Sequence, residues 1–455
     1  MPTSRKNARF TRKMNDISRH DSSTPSRCCG VHLITISKFI GIIALMCAIF
    51  LRGPLTRLYL VNTLFNEGRI VENFRNMHER SFPFADIRRS NPASVAAFVE
   101  ESGDLPKTFV WNGTTFDLEK WMDDHWTTGI VVLKRVDTTT AKVVYESYRR
   151  GNTKDSKCVS WSMCKSFVST AIGIASDKGM LSVEHTVTDY VPELKDTGYE
   201  NVRIKDILQM SSGVAFDEDY FNPFSDINLM GYTLAFGWSM DSFVAGLKRE
   251  QEPGTFNHYV SIDTQVLSMV LQGASGKSLS QFLETHVWSK VGFESDANIL
   301  MDNANDRREL AFGILSVTTR DYARFGWLWL NGGRSPVNGE QVVSEEWVRD
   351  ATTADGAHLM PGPGNSMSDY PSFGYGYQWW LLPEPGAPTV LSKDFMAIGV
   401  YNQFIYVSPE HNVVIARNSA YPFYDTEQSP TSHENYGELQ AAAAFRAIAS
   451  HVASR

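Results

Sequence analysis

The alternation of apolar and polar positions predicts that the main sheet begins with two strands and is followed by a buried helix. Two strand-like runs, Gly129–Lys134 and Lys142–Tyr148, flank a threonine-rich turn. An apolar helical run with one polar stripe follows and ends at Gly179, since glycine is a common residue just after a helix. From about residue 181 to residue 298 the pattern predicts helices and loops. We interpret this region as an inserted all-helical domain.

Later apolar runs complete the predicted fold. They indicate a helix at Asp321–Leu330, a strand at Tyr375–Leu381, a hairpin around Ser408–His411 and a helix from Glu438 to His451. The predicted fold class is therefore α/β (α+β). Its antiparallel sheet is flanked by terminal helices. We expect the chemical motifs described below to meet in the cleft between the sheet and the helical domain.

The N-terminal region combines a basic segment with one long apolar stretch. The apolar stretch, Val31–Leu51, is close to the roughly 20 residues that a helix needs to span a bilayer. Lys38 interrupts it near one end, where its side chain can reach the membrane surface. The basic residues before it are Arg5, Lys6, Arg9, Arg12, Lys13, Arg19 and Arg27. We expect a single-pass signal anchor in the lipid bilayer, with a cytoplasmic N-terminus and an extracytoplasmic main domain. The alternative is a cleaved signal peptide, but no small-x-small cleavage site follows the stretch.

Composition and charge exclude several classes of function. The chain has 455 residues, of which 42% are hydrophobic, and a net charge of −8, which argues against a nucleic-acid partner. Its five cysteines give neither a metal-ligand spacing nor a disulfide framework. We found no Gly-x-Ser-x-Gly elbow, no His-Glu-x-x-His and no complete P-loop. We therefore expect neither a metal nor a cofactor.

The strongest chemical motif is Ser162-Met-Cys-Lys165, at the start of the predicted buried helix. Residues three apart lie on the same helix face, so the Lys165 amine can take the proton of the Ser162 hydroxyl. Burial among apolar neighbours lowers the pKa of a lysine and makes it a base near neutral pH. The alternative is that a two-residue pattern occurs by chance. The pattern indicates covalent acyl-transfer chemistry.

Two further motifs follow in the chain. Tyr259-Val-Ser261 lies in a turn before an apolar helical run, where the phenol could relay protons; a core tyrosine is the alternative. Gly399 lies in a β-rich run, where a glycine often marks close approach of a backbone or ligand and could leave N–H groups free for an oxyanion. An ordinary bulge is the alternative there.

Together these residues resemble the serine β-lactamase and penicillin-binding-protein superfamily, and more closely its branch of proteins similar to 6-aminohexanoate-dimer hydrolase and related esterases. The resemblance covers most of residues 126–450 and implies a β-lactamase-like fold. It rests on Ser162-x-x-Lys165, on Tyr259-x-Ser261 and on the order of the elements. Three connecting phrases support it, namely Gly179–Leu194, Ile204–Gly213 and Ser316–Gly326 leading to Leu330–Gly333.

The resemblance implies a role for individual residues. Ser162 would be the acylated nucleophile, Lys165 its base and Tyr259 the proton relay. The backbone N–H groups of Ser162 and Val400 would form the oxyanion hole. Tyr220 lies in a segment that looks like the loop bringing a tyrosine over the substrate in the aminohexanoate-hydrolase branch. A solvated acidic turn is the alternative for that segment.

Two departures from the superfamily pattern bear on the substrate. Where its β-lactam-recognising members carry Lys-Thr-Gly or His-x-Gly, this chain has Ala397-Ile398-Gly399, without a cation or hydroxyl for a β-lactam carboxylate. Ser261 replaces a common asparagine and lacks its amide. We assign Gly399 and Ser261, with Tyr220, as candidate substrate-binding residues, and expect a small-molecule amide or ester substrate.

The predicted organisation has four parts. Residues 1–30 form a basic cytoplasmic tail, 31–52 the anchor, 53–125 a stalk with N-terminal decoration, and 126–455 the serine hydrolase domain. The predicted function is a membrane-anchored serine hydrolase of amides or esters. The alternatives are a β-lactamase or D-alanyl-D-alanine peptidase, and a catalytically silent binding ectodomain of the same fold.

Overall fold

The computed structural model describes most of the chain, and it divides into two compact units, Met1–Gly53 and Pro54–Arg455. Described are residues 40, 42, 46, 52–77, 82–89, 94–101, 103–220, 222–302, 307–362, 373–423 and 436–455. Most of the predicted anchor, Val31–Leu51, lies outside these residues. Among the residues that are described, no helix has both the length and the hydropathy needed to cross a membrane.

Fourteen strands occur in the described ranges and form two larger sheets and a hairpin. In chain order they are β1 (Phe84–Ile87), β2 (Phe98–Glu100), β3 (Thr108–Trp111), β4 (Thr114–Asp117), β5 (Thr127–Arg135), β6 (Ala141–Tyr148), β7 (Lys157–Val159), β8 (Ala297–Leu300), β9 (Leu315–Thr318), β10 (Gly374–Tyr375), β11 (Trp380–Glu384), β12 (Ala387–Gly399), β13 (Gln403–Ser408) and β14 (Val413–Ser419).

The main sheet has eight strands in the order β10-β11-β12-β13-β14-β5-β6-β2. Its pairs are antiparallel except the last, in which β2 runs parallel to β6. The prediction of a wholly antiparallel sheet is therefore wrong at this edge. A smaller antiparallel sheet has the order β1-β8-β9-β7, and β3 pairs with β4. Strands from residues 53–125 thus take part in both larger sheets.

Helices cover both faces of the main sheet. The α-helices are Ile70–Arg75, Leu118–Asp124, Cys164–Asp177, Ile204–Leu208, Asp226–Phe236, Met240–Gly246, Ser261–Ser275, Leu279–Leu283, Ser289–Val291, Thr319–Leu330, Glu345–Ala351 and Tyr436–Ala453, and residues 52–62 are also helical. Between residues 181 and 296 the described residues form helices and loops joined by isolated bridges, as the sequence pattern predicted.

The terminal helices pack on one face of the main sheet. Leu118–Asp124 and Tyr436–Ala453 share a core with β13, where Phe445 meets the ring of Phe404. A hydrogen bond of 2.8 Å from the Trp121 indole to Gln440 joins the two helices. The structure agrees with the predicted packing of terminal helices on the sheet.

The opposite face of the sheet carries the helices that support the candidate site. Thr319–Leu330 packs on β5, β13 and β14. It meets Cys164–Asp177 through Phe325 and Phe167, whose rings stack with centroids 3.7 Å apart. Cys164–Asp177 is buried along nearly its whole length, which explains its apolar sequence. This buried helix therefore carries Lys165, and the turn that leads into it carries Ser162.

Two sequence predictions about strands need correction. The single strand predicted at Tyr375–Leu381 is divided between β10 and β11, because Gly376 passes against the backbone of Ala351, where a Cβ would lie only 2.0 Å from the carbonyl oxygen. The β-rich run after Phe395 contains two hairpins rather than one. In addition to the predicted turn near Ser408, which separates β13 from β14, a turn at residues 400–402 separates β12 from β13.

Candidate active site

Ser162 lies in a tight turn between a strand and the buried helix. Strand β7 leads into a 3₁₀ turn, Trp161–Met163, which continues directly as the helix Cys164–Asp177. The first N–H groups of a helical segment have no partner within it, so the N–H of Ser162 is placed as a donor. Trp161 has a positive φ of 44°, an unfavourable conformation for a large side chain that often marks functional sites.

Lys165 is the buried partner of Ser162. Its side chain is 2% exposed, and its Nζ lies 3.0 Å from the Ser162 Oγ. The amine also donates to the Phe312 carbonyl oxygen at 2.7 Å and to the Ser261 Oγ at 3.4 Å. Burial lowers the pKa of Lys165 to about 8, although the charge of Glu218 acts in the opposite direction. This distance would allow a neutral Lys165 amine to take the proton of the Ser162 hydroxyl.

Tyr259 lies on the other side of the lysine. Its ring is 5.0 Å from the Lys165 Nζ and stacks on Trp380 with centroids 5.4 Å apart. Burial raises the pKa of Tyr259, and so does the charge of Glu218, while hydrogen bonds with Ser162 and Ser261 oppose the rise. The phenol therefore stays protonated near neutral pH and is placed to hand a proton to a group bound at Ser162.

Glu218 is a member of the site that the sequence analysis missed. Its Oε2 accepts the backbone N–H of Ser261 at 3.1 Å, and its Oε1 accepts the Ser261 hydroxyl at 2.5 Å. The Tyr220 hydroxyl donates to the same Oε1 at 3.0 Å. Burial raises the pKa of Glu218, and the positive charge of Lys165 opposes the rise. A solvated acidic turn does not describe this residue.

A second carboxylate, Asp263, lies in the first turn of the helix Ser261–Ser275. It is fully buried, and the Tyr199 hydroxyl donates to its Oδ1 at 2.9 Å. Burial raises the pKa of Asp263 to about 7. Its charge, like that of Glu218, raises the pKa of Lys165. Two carboxylates thus oppose the effect of burial on the pKa of Lys165.

Gly399 and Val400 lie at the end of β12, beside the Ser162 turn. A Cβ at Gly399 would be 2.5 Å from the Ser160 carbonyl oxygen and 3.1 Å from the Cβ of Trp161. Glycine is required here because the strand end touches the backbone that precedes the nucleophile. Val400 follows at once and faces the same cleft as Ser162.

The structure brings most of the predicted site residues to one cleft. Ser162, Ser261, Tyr220 and Val400 line it, and Tyr220 is 38% exposed. Lys165 and Tyr259 lie behind this surface, in contact with Ser162. Ser261 lies in the wall of the cleft. Its hydroxyl also contacts both Lys165 and Glu218, so it links these two side chains.

The arrangement matches a known family. A family model described as Beta-lactamase matches residues 117–429, which is more than half of the chain. The chain belongs to the beta-lactamase family. The expected β-lactamase-like fold is confirmed by a solved structure, a protein from Bacillus anthracis described as a 6-aminohexanoate-dimer hydrolase. It has a TM-score of 0.70 and 23% identity, and the alignment covers 84% of this chain and 95% of that one.

Two further proteins are similar to this chain over most of their length. The 6-aminohexanoate-dimer hydrolase of Paenarthrobacter ureafaciens is 28% identical over 351 residues, which cover 76% of this chain and 84% of the relative. A family VIII carboxylesterase structure has a TM-score of 0.50 at 17% identity and covers 73% of this chain and 95% of its own. The predicted resemblance to the beta-lactamase superfamily is confirmed.

Proposed function

We propose that this member of the beta-lactamase family is a serine hydrolase that cleaves amide or ester bonds through an acyl-enzyme on Ser162. The observation that carries the proposal is the 3.0 Å contact between the Ser162 Oγ and the Nζ of a buried lysine. Burial lowers the pKa of that lysine to about 8, so about one tenth of the amine is neutral at pH 7. The names of the similar hydrolase and carboxylesterase support amide or ester substrates.

The residues support a two-step mechanism. The Ser162 Oγ attacks the substrate carbonyl carbon while its proton passes to the neutral Lys165 amine. The N–H groups of Ser162 and Val400 stabilise the negative oxygen of the tetrahedral intermediate. Tyr259 protonates the leaving amine or alcohol and is reprotonated from the Lys165 ammonium. Water then attacks the acyl-enzyme with Lys165 as the base, which releases the acid and restores Ser162.

The end of β12 argues against β-lactams as the substrates. Ala397 and Ile398 are buried within the strand and pair with β13. Neither side chain supplies a cation or a hydroxyl for the carboxylate that β-lactam antibiotics carry. An amide or ester without such a carboxylate fits this edge better.

Active-site labelling tests the proposed function. The full chain in detergent is treated with a fluorophosphonate probe and weighed by intact-protein mass spectrometry, beside Ser162→Ala and Lys165→Ala. We expect one adduct on the wild type, none on Ser162→Ala and slow labelling of Lys165→Ala. A folded wild type that takes no label would favour the silent binding domain. Covalent labelling by a fluorescent penicillin would favour the β-lactamase or peptidase alternative.

We also propose that Val31–Leu51 anchors the protein in a membrane, with residues 1–30 in the cytoplasm and the catalytic domain outside. The support is the basic segment before the apolar stretch. The helix over residues 52–62 follows the stretch directly in the chain and carries exposed apolar side chains, among them Leu55 and Tyr59. Exposed apolar and aromatic side chains of this kind are compatible with a position near a bilayer surface.

A further inference from the structure

The cleft in front of Ser162 is lined mainly by apolar side chains. Its volume is about 310 Å³, at the lower end of the range for small-molecule sites. Its apolar lining comes from the end of the 52–62 helix and the segment after it, from the helix Asp226–Phe236, from the region near Ile314 and from the turns that carry Ser162 and Val400. These side chains are Val61, Leu64, Phe65, Met77, Phe82, Trp161, Ile227, Met230, Leu234, Leu300, Leu310, Phe312, Ile314, Val400 and Tyr401. We call this space the apolar cleft.

One wall of the apolar cleft is a cluster of aromatic rings next to the nucleophile. Phe65 stacks on Tyr401 with centroids 4.6 Å apart and an interplanar angle of 15°. Trp161 and Phe74 complete the cluster, with ring centroids 5.3 Å apart. Trp161 precedes Ser162, and Tyr401 follows Val400. The aromatic wall therefore adjoins both predicted oxyanion donors, and Phe65 still exposes 40% of its surface.

The polar groups of the apolar cleft are neutral. Among the described residues that line it, none carries a charged side chain. The Asn228 amide donates to the carbonyl oxygens of Tyr220 and Asn222. Its hydrogen bonds are therefore used to fix the loop that contains these two residues. Away from Lys165 and Glu218 at the Ser162 end, an ammonium or carboxylate bound here would lose its hydration without gaining an opposite charge from the described lining residues. A methylene chain would instead gain by leaving water.

We propose that the substrate is an uncharged ester or amide whose long apolar chain occupies the apolar cleft beside Ser162. This inference rests on the proposed function, since it needs an acylated Ser162. The polar reaction centre lies at one end, with Ser162, Ser261 and Tyr220, and the chain extends between Phe65 and the helix Asp226–Phe236. The cleft thus selects against substrates with a charged end.

A matched pair of substrates separates charge from length. The p-nitrophenyl esters of heptanoic acid and 6-aminohexanoic acid have chains of equal heavy-atom number and differ in the terminal methyl or ammonium group. We expect the full-length protein in detergent to have a kcat/KM at least about 30-fold higher for the heptanoyl ester, because a buried unpaired ammonium is costly. We expect the heptanoyl ester to exceed the acetyl ester by at least about tenfold, as burial of methylene groups requires.

A variant locates the chain in the apolar cleft. Phe65→Ala should lower the heptanoyl-to-acetyl ratio of kcat/KM about tenfold, which corresponds to losing the burial of roughly two methylene groups. Leu55→Ala, in the helix before it, removes an exposed side chain that does not line the cleft. We expect this control to keep the wild-type ratio. Thermal unfolding of both variants shows whether each is folded.

Three outcomes are distinguishable. Turnover of the acetyl ester with equal or better use of the 6-aminohexanoyl ester would overturn this inference and leave the serine hydrolase intact. An unchanged ratio in folded Phe65→Ala would also overturn it. Failure of every ester together with no fluorophosphonate adduct on Ser162 would instead defeat the proposed function.

Discussion

The pKa of Lys165, the base in the proposed mechanism, depends on a balance between burial and nearby negative charge. Burial favours the neutral amine and lowers the pKa of Lys165 to about 8, while Glu218 and Asp263 favour the ammonium. The neutral amine is the form that accepts the Ser162 proton. We therefore expect kcat/KM for a neutral ester to rise with pH and to reach half its maximum near pH 8. A profile flat between pH 6 and about 9 would contradict Lys165 as the base.

Glu218 offers a test of that balance at a single residue. The variant Glu218→Gln removes the negative charge and keeps one of the two oxygens that accept hydrogen bonds from Ser261. Because the charge of Glu218 raises the pKa of Lys165, its loss should move the midpoint of the pH profile down by about one unit.

The control for this variant is Glu193→Gln, a change of the same kind at an exposed position in a short 3₁₀ turn. It should leave the midpoint where it is in the wild type. A midpoint in Glu218→Gln that rises, or that equals the wild-type value, would show that Glu218 does not act on the charge of Lys165.

The residues of the site differ in how far the sequence could predict them. Ser162 and Lys165 are three positions apart, so helix geometry alone brings them together. Glu218 meets Ser261 across 43 positions through an irregular loop, and only the folded loop shows that its carboxylate is bound to Ser261 and partly buried. The one sequence feature that pointed to Glu218 was its position two residues before Tyr220. An acidic surface turn accounted equally well for the sequence of that segment.

At the scale of elements, the end of β12 contacts the turn that carries Ser162, and the proposed oxyanion hole depends on this contact. Gly399 permits the contact, since any Cβ there would meet the Ser160 carbonyl oxygen at 2.5 Å. We expect Gly399→Ala to push Val400 away from Ser162. Losing one oxyanion donor lowers kcat by about 10²–10³-fold, and overpacking costs about 1–3 kcal/mol of stability. Ester kinetics and thermal unfolding measure the two effects.

Gly246→Ala is the matched control for Gly399→Ala. Gly246 ends the helix Met240–Gly246, and a Cβ there would have no neighbour within 4 Å. The control should keep wild-type kinetics and melting temperature. If Gly399→Ala behaved in the same way, the close contact between β12 and the nucleophile turn would have no role in catalysis.

The elements that the sequence predicted well are those with a strong local pattern. The helix predicted at Asp321–Leu330 is Thr319–Leu330, and the strands predicted before the nucleophile are β5 and β6. The break at Gly376 depends on the distant backbone of Ala351, and the parallel pairing of β2 with β6 depends on a segment that carries little periodicity. Contacts between distant parts of the chain decide such features, and no local window contains them.

At the scale of the whole molecule, the segment between the predicted anchor and the main sheet helps to line the apolar cleft in front of Ser162. Val61 and Phe65 line the apolar cleft, and the helix over residues 52–62 is tied to the helix Asp226–Phe236 by a hydrogen bond of 2.9 Å from Arg57 to the Ala235 carbonyl oxygen. Sequence patterns could not predict this, since the segment has a mixed composition and acquires its role only by packing against distant helices.

Membrane attachment is the prediction that concerns the whole chain. Deletion of residues 1–51 removes the basic tail and the apolar stretch but keeps the helix over residues 52–62 and the cleft wall. We expect the full chain to stay with membranes after a carbonate wash, because a helix of about 20 apolar residues inserts stably. The shortened chain should be released while keeping its fluorophosphonate labelling at Ser162.

Deletion of residues 1–30 alone is the matched control, since it keeps Val31–Leu51 and should keep the protein in the membrane. Release of the full chain by the same wash would contradict an anchor in the bilayer.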